Sequence, residues 1–271
     1  MIDLHLHTTA SDGALSPAAL VRRAALAGLT VISITDHDTT AGIAPAAAAA
    51  RTAHLALVPG IEITAVTEAR DLHMLGYFID PDAPALAAFL VTQRTDRVRR
   101  VSQMAQRLMS LGCAIDAAPI LADASRGRSV GRPQLAAALV AAGHVRSREE
   151  AFARYLDFRG PAFVPRRGPP PEAVIAIVHD AGGLASLAHP GPSRSDHLIP
   201  ALVDAGLDAL EVRHSDHDDA TENRYRALAE KYSLLVTGGS DFHDDVGHRQ
   251  GGLGRVTLPA SDFARLNARR A

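Results

Sequence analysis

The chain has 271 residues, of which 47% are apolar and 21% charged, and its formal net charge is −2. This apolar fraction supplies a large core and excludes a mainly disordered chain. A slightly negative total excludes tight, non-specific binding to long duplex nucleic acid. The single Cys113 excludes an internal disulfide and a thiolate-rich metal site, so any metal chemistry must use nitrogen and oxygen ligands.

Membrane and export signals are missing from the sequence pattern. No apolar run approaches the roughly 18 residues that a membrane helix needs. The first residues, MIDLHLHTTASDG, lack a basic region followed by an apolar one. We therefore expect a soluble cytoplasmic protein without membrane contacts.

Strand-like and helical segments alternate along most of the chain. A short first strand precedes a helix that is marked by Ser16 as a cap, Pro17 at the first helical position and Gly28 at its end. Further strand-like runs cover residues 29 to 36, 55 to 65, 71 to 79, 183 to 190, 207 to 214 and 234 to 243. Such alternation predicts parallel strands with crossover helices, in a closed barrel or an open doubly wound sheet. We prefer the barrel.

The alternation of strands and helices stops between residues 82 and 160, where one predicted helix follows another. We predict an inserted helical domain there, with barrel segments at 1–81 and 161–271 and a Pro- and Gly-rich return at 159 to 172. Residues 94 to 168 hold fourteen Arg and six acidic residues. This basic segment suits a polyanionic substrate, although, taken alone, it is better explained as a solvated helical surface.

Histidines and carboxylates collect at the ends of predicted strands, where barrel enzymes build their sites. A single buried His or carboxylate is usually hydrogen-bonded within the core. Many of them together predict a metal site, because burying polar groups without partners costs free energy. The spacings of His5 and His7, and of Asp241 and His243, place each pair on one strand face. The candidates are His5, His7, Asp12, Asp36, His37, Glu62, His73, His189, Asp241 and His243. We predict surface positions for His54, His144, His179, His197 and His248.

Five motifs in this order resemble the PHP (polymerase and histidinol phosphatase) superfamily. They are DLHLHTTASDG (3 to 13), TDHDT (35 to 39), GIEI (60 to 63), LAHP (187 to 190) and GSDFH (239 to 243). HMLGYF (73 to 78), GRP (131 to 133) and the return GPAFVP (160 to 165) resemble one branch of metal-dependent phosphoesterases. That branch includes nucleoside 3′,5′-bisphosphate phosphatases and 5′-3′ exoribonucleases. The resemblance implies an α/β fold, a distorted (β/α)7 TIM-like barrel with a small inserted helical domain.

The resemblance also implies a catalytic centre with three divalent metal ions, which can be manganese, iron or zinc. The first ion would take His5, His7, Glu62 and Asp241. The second would take Glu62, His73 and His189, and the third Asp12, His37 and His243. Asp36 would orient its neighbour without binding an ion.

Substrate contacts are expected from four further positions, of which His217 is the weakest candidate. Arg132 is a candidate phosphate clamp, and Gln134 stands where the branch often carries His. His214 is a candidate contact to the substrate or its leaving group, and His217 is a weaker one because a solvent-facing loop explains it equally well.

The expected activity is hydrolysis of phosphate esters of nucleotides by a metal-bridging hydroxide. Expected substrates are 3′,5′-bisphosphonucleosides such as pAp and short 5′-phosphorylated oligoribonucleotides. A histidinol-phosphate phosphatase is the nearest alternative. An amidohydrolase acting on C–N bonds is disfavoured because the single Lys231 lies in a predicted helix end, although Glu62 can replace a carboxylated Lys as the bridge. A non-catalytic metal-binding module is disfavoured because the apparent ligand set is complete.

Overall fold

Seven strands form one sheet that curls into a nearly closed barrel in the computed structural model, which describes residues 1–67, 70–244 and 252–270. The last strand meets the first through a parallel bridge between Leu6 and Phe242, where the His7 amide donates to the Phe242 carbonyl at 3.0 Å. In chain order the strands are β1 (Ile2–Leu6), β2 (Val31–Ile34), β3 (Ala56–Thr67), β4 (Arg70–Tyr77), β5 (Leu184–Leu187), β6 (Ala209–His214) and β7 (Leu235–Gly239). The predicted barrel is confirmed.

Helices connect most of these strands and surround the sheet. They are α1 (Pro17–Leu26), α2 (Ile43–Ala53), α3 (Pro84–Ser110), α4 (Ala118–Ser125), α5 (Arg132–Ala141), α6 (Arg148–Ala151), α7 (Pro171–Asp180), α8 (Pro190–Ser193), α9 (Ile199–Asp204), α10 (Asp219–Lys231) and α11 (Ala260–Arg269). A π-helical turn covers Phe152–Leu156 and a 3-10 turn covers Asp196–Leu198. Ser16 caps α1 as predicted, accepting the Ala19 amide at 3.3 Å.

The expectation of an all-parallel barrel is wrong at β4, which runs antiparallel to both of its neighbours. Only two residues separate β3 from β4, whereas a parallel connection needs a crossover of a dozen residues or more. The pairing of β2 with β3 ends at Ile34 and Pro59, and β3 continues to Thr67 alongside β4. Glu62 therefore lies in the middle of β3 and not at its end.

Apolar side chains fill the layers between the barrel and its outer helices. On one side, α1 packs Leu20, Val21 and Ala24 against the β1 and β2 strands, together with Ala46 and Ala50 of α2. The small alanines let α2 approach closely. The main apolar cluster contains residues from strands β3, β4, β5, β6 and β7, which pack against α7 and α10. Apolar residues therefore hold the barrel from outside, and polar groups occupy one end of its interior.

A separate apolar cluster lies in the helical segment between β4 and β5. Its members are Val101, Met104, Leu108, Cys113, Ile120, Val130, Leu135, Ala136, Leu139, Val145, Ala151, Leu156, Ala162 and Val164. Helix α3 reaches both cores, since Leu86 and Leu90 pack against the barrel and Val101 packs in this cluster. An inserted domain at 82–160 remains a prediction.

Membrane insertion finds no support among the helices. Within residues 1–67, 70–244 and 252–270, none is both long enough and apolar enough to cross a bilayer.

Candidate metal centre

The nine predicted ligands converge at one end of the barrel, around the carboxylate of Glu62. This side chain is buried and lies at the centre of five histidines. Its Oε2 lies 3.2 Å from His5 Nε2, His7 Nε2 and His37 Nδ1, and its Oε1 lies 2.7 Å from His73 Nδ1 and 3.1 Å from His189 Nε2. A carboxylate so placed can bridge two cations.

Two further carboxylates complete the cluster. Asp241 Oδ1 lies 3.2 Å from His7 Nε2 and 3.3 Å from His243 Nδ1. Asp12 faces the same two imidazoles and His37, with His243 Nε2 at 3.3 Å. Three sets drawn from the predicted ligands are compact enough to hold one ion each: His5, His7, Glu62 and Asp241; His7, Asp12, His37 and His243; and His37, Glu62 and His73.

Unsatisfied atoms in the cluster fit metal ions. Both ring nitrogens of His7, Asp12 Oδ1, and the Nδ1 atoms of His37 and His73 are buried and have no hydrogen-bond partner in the part of the chain that the structure describes. Each of these imidazole nitrogens nevertheless lies within 4 Å of a carboxylate oxygen, and Asp12 Oδ1 lies within 4 Å of an imidazole nitrogen. Proteins tolerate such groups when a cation sits between them. The donor set of imidazole and carboxylate matches Mn, Fe or Zn.

Glu62 and His37 have the protonation states that bind a cation, whereas His7 carries a proton that a metal would have to displace. Burial opposes ionisation of Glu62, but the imidazoles of His37, His73 and His5 hold its pKa well below the usual range. Burial opposes protonation of His7, yet the carboxylates of Asp241 and Glu62 raise its pKa to about 10. Burial lowers the pKa of His37 to about 3, which keeps this imidazole neutral. Neutral imidazoles and ionised carboxylates are the forms that bind metals.

Backbone geometry explains how the ligands reach one point. His5 lies in β1 and His7 follows it, so strand alternation aims both rings inward as predicted. The second pair was expected on a strand face, and this is wrong because β7 ends at Gly239. Asp241 instead has a left-handed backbone, with φ of 51°, which turns the chain after the strand.

Asp36 supports the loop that carries two of the ligands. Its Oδ1 accepts hydrogen bonds from the Thr8 amide and the Ser11 hydroxyl, both at 2.7 Å, and its Oδ2 accepts from the Thr8 hydroxyl at 2.7 Å. We expected Asp36 to orient the adjacent His37. These contacts instead hold the segment between His7 and Asp12.

The predicted substrate residues on α5 differ in their surroundings. Gln134 accepts the Gly131 amide at 2.8 Å and donates to the Ser11 carbonyl at 2.8 Å. Both ends of its amide are therefore engaged, and it joins α5 to the ligand-bearing loop. Arg132 keeps 27% of its side chain exposed and lies 3.7 Å from Asp71, so it remains a candidate phosphate contact.

The histidines after β6 are more enclosed than expected. His214 is buried, with Nε2 3.2 Å from Asp241 Oδ2, and burial lowers its pKa. His217 lies with Nδ1 2.8 Å from the Val212 carbonyl, and its Nε2 accepts the Gly191 amide at 3.2 Å. Both ring nitrogens of His217 are thus hydrogen-bonded to backbone groups.

Sequence reasoning missed Glu211, which is buried beside His5 and His214 and could share an ion with them. An irregularity in β6 between Glu211 and Arg213 reverses the alternation of side chains, so Glu211 and His214 both reach the interior. The acidic residue within the otherwise apolar stretch ALEV (209 to 212) was the available signal.

The histidines that we predicted at the surface lie away from the cluster. His54, His179 and His197 are exposed, and His144 is half-buried with Nε2 2.8 Å from the Ala114 carbonyl. His248 lies outside the described residues.

Comparisons with known proteins agree with this site. The family model for the PHP domain matches residues 3–156. The 5′-3′ exoribonuclease Rnm of Escherichia coli is 37% identical over 89% of this chain and 84% of its own length. The 3′,5′-nucleoside bisphosphate phosphatase of Chromobacterium violaceum is 34% identical over 92% of this chain and 91% of its own. A Bifidobacterium adolescentis structure, assigned to the metal-dependent phosphoesterases, has a TM-score of 0.89, 36% identity and coverage of 100% and 96%.

The barrel, the His and carboxylate cluster and these relatives define a metal-dependent phosphoesterase. The chain belongs to the PHP family. The curated relatives are named for phosphoester hydrolysis, and they disfavour the amidohydrolase and non-catalytic interpretations.

Proposed function

We propose that the protein hydrolyses the phosphate ester at the 3′ oxygen of a ribonucleotide that also carries a 5′-phosphate. The nucleotide is a 3′,5′-bisphosphonucleoside or the 5′ end of a short RNA. In both substrates water attacks the phosphorus on the 3′ oxygen, and that oxygen leaves. The relatives named above support either substrate. This activity belongs in the cytoplasm, where both substrates occur, and needs no membrane or long duplex.

The observation that carries this proposal is a second charged site beside the metal centre. We call it the arginine cluster, and its members are Arg97, Arg100, Arg132 and Arg166. Arg97 Nε lies 2.6 Å from Asp38, and Arg166 lies 3.4 Å from Asp38 and 3.6 Å from Asp71. Three of these four arginines are buried, whereas seven of the fourteen arginines in residues 94 to 168 are exposed, as expected of a solvated surface.

The arginine cluster has more positive charge than its carboxylates neutralise. Within the described residues, its four guanidinium groups face three carboxylates, those of Asp38, Asp71 and Asp96, and Asp96 is itself paired with Arg99. Arg100 is 4% exposed, and its Nη2 has no hydrogen-bond partner among the described residues. Burial, and then the neighbouring Arg166, lower the pKa of Arg100 to about 9. A phosphate dianion would supply the missing acceptors and charge.

The arginine cluster borders the metal centre directly. Asp71 precedes His73 by two residues on β4, a rise of about 7 Å along a strand. Asp38 follows the candidate ligand His37. One nucleotide can therefore place one phosphate at each site, with its ribose between them.

We assign the metal ligands as the sequence predicts, with three divalent ions held by His5, His7, Asp12, His37, Glu62, His73, His189, Asp241 and His243. Bound ions would activate water and offset the charge of the phosphoryl oxygens. Of the ligands, His73 and His243 keep 26% and 24% of their side chains exposed, so they border the opening. Arg132 holds the remote phosphate and fixes the orientation of the nucleotide.

Parallel assays test the substrate. Manganese-loaded protein is incubated with adenosine 3′,5′-bisphosphate, adenosine 3′-monophosphate, a short 5′-phosphorylated RNA and histidinol phosphate. We expect release of the 3′-phosphate from the bisphosphate or of 5′-mononucleotides from the RNA. Removing the 5′-phosphate should lower kcat/KM by about 100-fold or more, because two charge-assisted contacts of about 1.5–3 kcal/mol each are lost.

Two variants complete the design. Asp241→Asn should abolish turnover and controls for metal dependence, whereas Arg132→Met should raise KM for the bisphosphate and leave the 3′-monophosphate unaffected. Equal turnover of both nucleotides would contradict the two-phosphate proposal. Turnover of histidinol phosphate alone would assign the chain to the alternative activity.

A further inference from the structure

Phe158 is exposed without belonging to either apolar core. It is 46% exposed and is the one aromatic residue among the exposed large apolar side chains in the described part of the chain. The neighbouring Phe152 and Tyr155 pack against the apolar cluster of the helical segment, but Phe158 does not. Arg159, next in the chain, has a left-handed backbone with φ of 69°, which is unusual for a residue other than Gly. Packing of the fold therefore does not explain the position of this ring.

The ring lies in a group of aromatic and guanidinium planes. Phe163 meets Phe158 edge to face, with centroids 5.5 Å apart. The guanidinium carbons of Arg159 and Arg70 lie 5.2 and 5.8 Å from the Phe158 centroid. We call Phe158, Phe163, Arg70 and Arg159 the aromatic patch.

The aromatic patch adjoins the arginine cluster. Arg132 connects the two, since its guanidinium carbon lies 5.8 Å from the Phe163 centroid and its Nη2 lies 3.7 Å from Asp71. Arg70 directly precedes Asp71 on β4, and His73 follows two residues later. Arg132 therefore links the patch to the arginine cluster, and Asp71 and His73 place that cluster beside the metal centre on one face of β4.

We propose that the aromatic patch binds the nucleobase of the nucleotide whose 5′-phosphate occupies the arginine cluster. This inference rests on the proposed function. Aromatic rings and guanidinium planes are the groups on which bases stack, and every base offers a flat π-face. The patch contributes rings and cations, so recognition is by stacking and tolerates both purines and pyrimidines. The base is needed for tight binding, whatever its identity.

The test compares substrates with and without a base. The substrates are adenosine 3′,5′-bisphosphate, uridine 3′,5′-bisphosphate and the base-free 1-deoxyribofuranose 3,5-bisphosphate, assayed with the manganese-loaded protein and with Phe158→Ala. We expect Phe158→Ala to raise KM for both nucleosides by about 5- to 150-fold, the range of one stacked base. It should leave kcat and the base-free substrate unchanged. Phe158→Trp should restore nucleoside binding.

Leu111→Ala is the matched control, because Leu111 is 45% exposed and also lies in the helical segment. It should behave as the unaltered protein does. A Phe158→Ala variant that keeps the full preference for nucleosides over the base-free substrate would overturn the proposal.

A binding measurement distinguishes failure of this inference from failure of the proposed function. The fluorescence of 2-aminopurine riboside 3′,5′-bisphosphate should be quenched when it binds to Asp241→Asn, because stacking quenches the fluorescence of this base. The quenching should be lost when Phe158→Ala is added. Failure of turnover with quenching intact would contradict the proposed function alone. Quenching that persists without Phe158 would overturn the aromatic patch.

Discussion

Nδ1 of His5 lies 2.9 Å from Oε1 of Glu211 in the barrel interior, where neither side chain is exposed. The other oxygen of Glu211 accepts the His189 amide at 2.8 Å. This carboxylate therefore fixes the orientation of one candidate ligand and the backbone of another. With Nδ1 engaged, His5 presents Nε2 to Glu62 and Asp241.

Glu211→Gln should weaken metal binding by about 10- to 100-fold, because partners that orient a ligand typically contribute that much. The amide can still accept from one partner, but its NH2 group cannot accept the His189 amide. Competition with a chelator measures the effect. Glu222→Gln is the control, since Glu222 pairs with Arg213 near the surface, 3.1 Å away. Unchanged metal affinity in Glu211→Gln would show that Glu211 has no positioning role.

A second prediction concerns the buried ion pair between Asp38 and Arg97, which joins the loop after β2 to α3. Arg97 also donates to the Val130 carbonyl at 3.3 Å and the Thr64 hydroxyl at 3.2 Å. Arg97→Met should lower the free energy of unfolding by about 3–5 kcal/mol, because it leaves a buried carboxylate poorly compensated. Urea titration measures this. Arg154→Met removes an exposed pair with Glu150 and should change the stability by about 0.5 kcal/mol or less. Equal effects of both variants would refute the structural role of Arg97.

The sequence predicts most of the barrel and its candidate ligands because both follow local rules. The strand runs are short and apolar, and ligands such as His37 and His189 follow them directly. The direction of β4 does not follow from the alternation of strands and helices. It follows from the interval between the strand-like runs 55 to 65 and 71 to 79, which is too short for a parallel crossover.

The missed residues depend on contacts between distant segments. The pairing of Asp38 with Arg97 spans 59 residues, which no local pattern reveals. A hint existed in α3, where Gln93, Arg97 and Arg100 occupy the buried stripe between Leu90 and Met104. Charged residues on a buried helix face need partners. The inward position of Glu211 depends on the irregularity in β6, which the alternation of residues in the sequence does not reveal.

A third prediction concerns closure of the barrel. A Cβ atom at Gly239 would stand 2.4 Å from the His5 backbone nitrogen, so only Gly lets β7 approach β1 this closely. Gly239→Ala should lower the free energy of unfolding by about 1–3 kcal/mol or more, as overpacking does. It should also weaken metal binding, because His5 is displaced. Urea titration and chelator competition measure the two effects, and unchanged values in both would contradict the close approach.

A fourth prediction is that metal loading stabilises the fold. Removal of metal leaves buried carboxylates and imidazoles without cations, as at Glu62 and Asp12. A saturating divalent ion at 100 times its Kd should add about 2.7 kcal/mol for each site. Thermal unfolding after chelation and after adding back manganese, iron or zinc measures the shift in Tm. Asp241→Asn should reduce this shift, and His179→Ala, at an exposed position outside the cluster, should retain it. A Tm that is insensitive to metal would argue against bound ions at this cluster.

The fifth prediction is that metal binding releases protons. Without metal, the carboxylates of Asp241 and Glu62 raise the pKa of His7 to about 10 against the opposing effect of burial, so His7 is protonated at neutral pH. A metal needs the neutral imidazole, and its binding must displace that proton. Affinity should therefore rise with pH up to about the pKa of His7, by about tenfold per pH unit for one proton released. Calorimetry in buffers of different ionisation enthalpy counts the protons. A binding enthalpy independent of the buffer, with affinity constant from pH 6 to 9, would mean that His7 is already neutral in the metal-free protein.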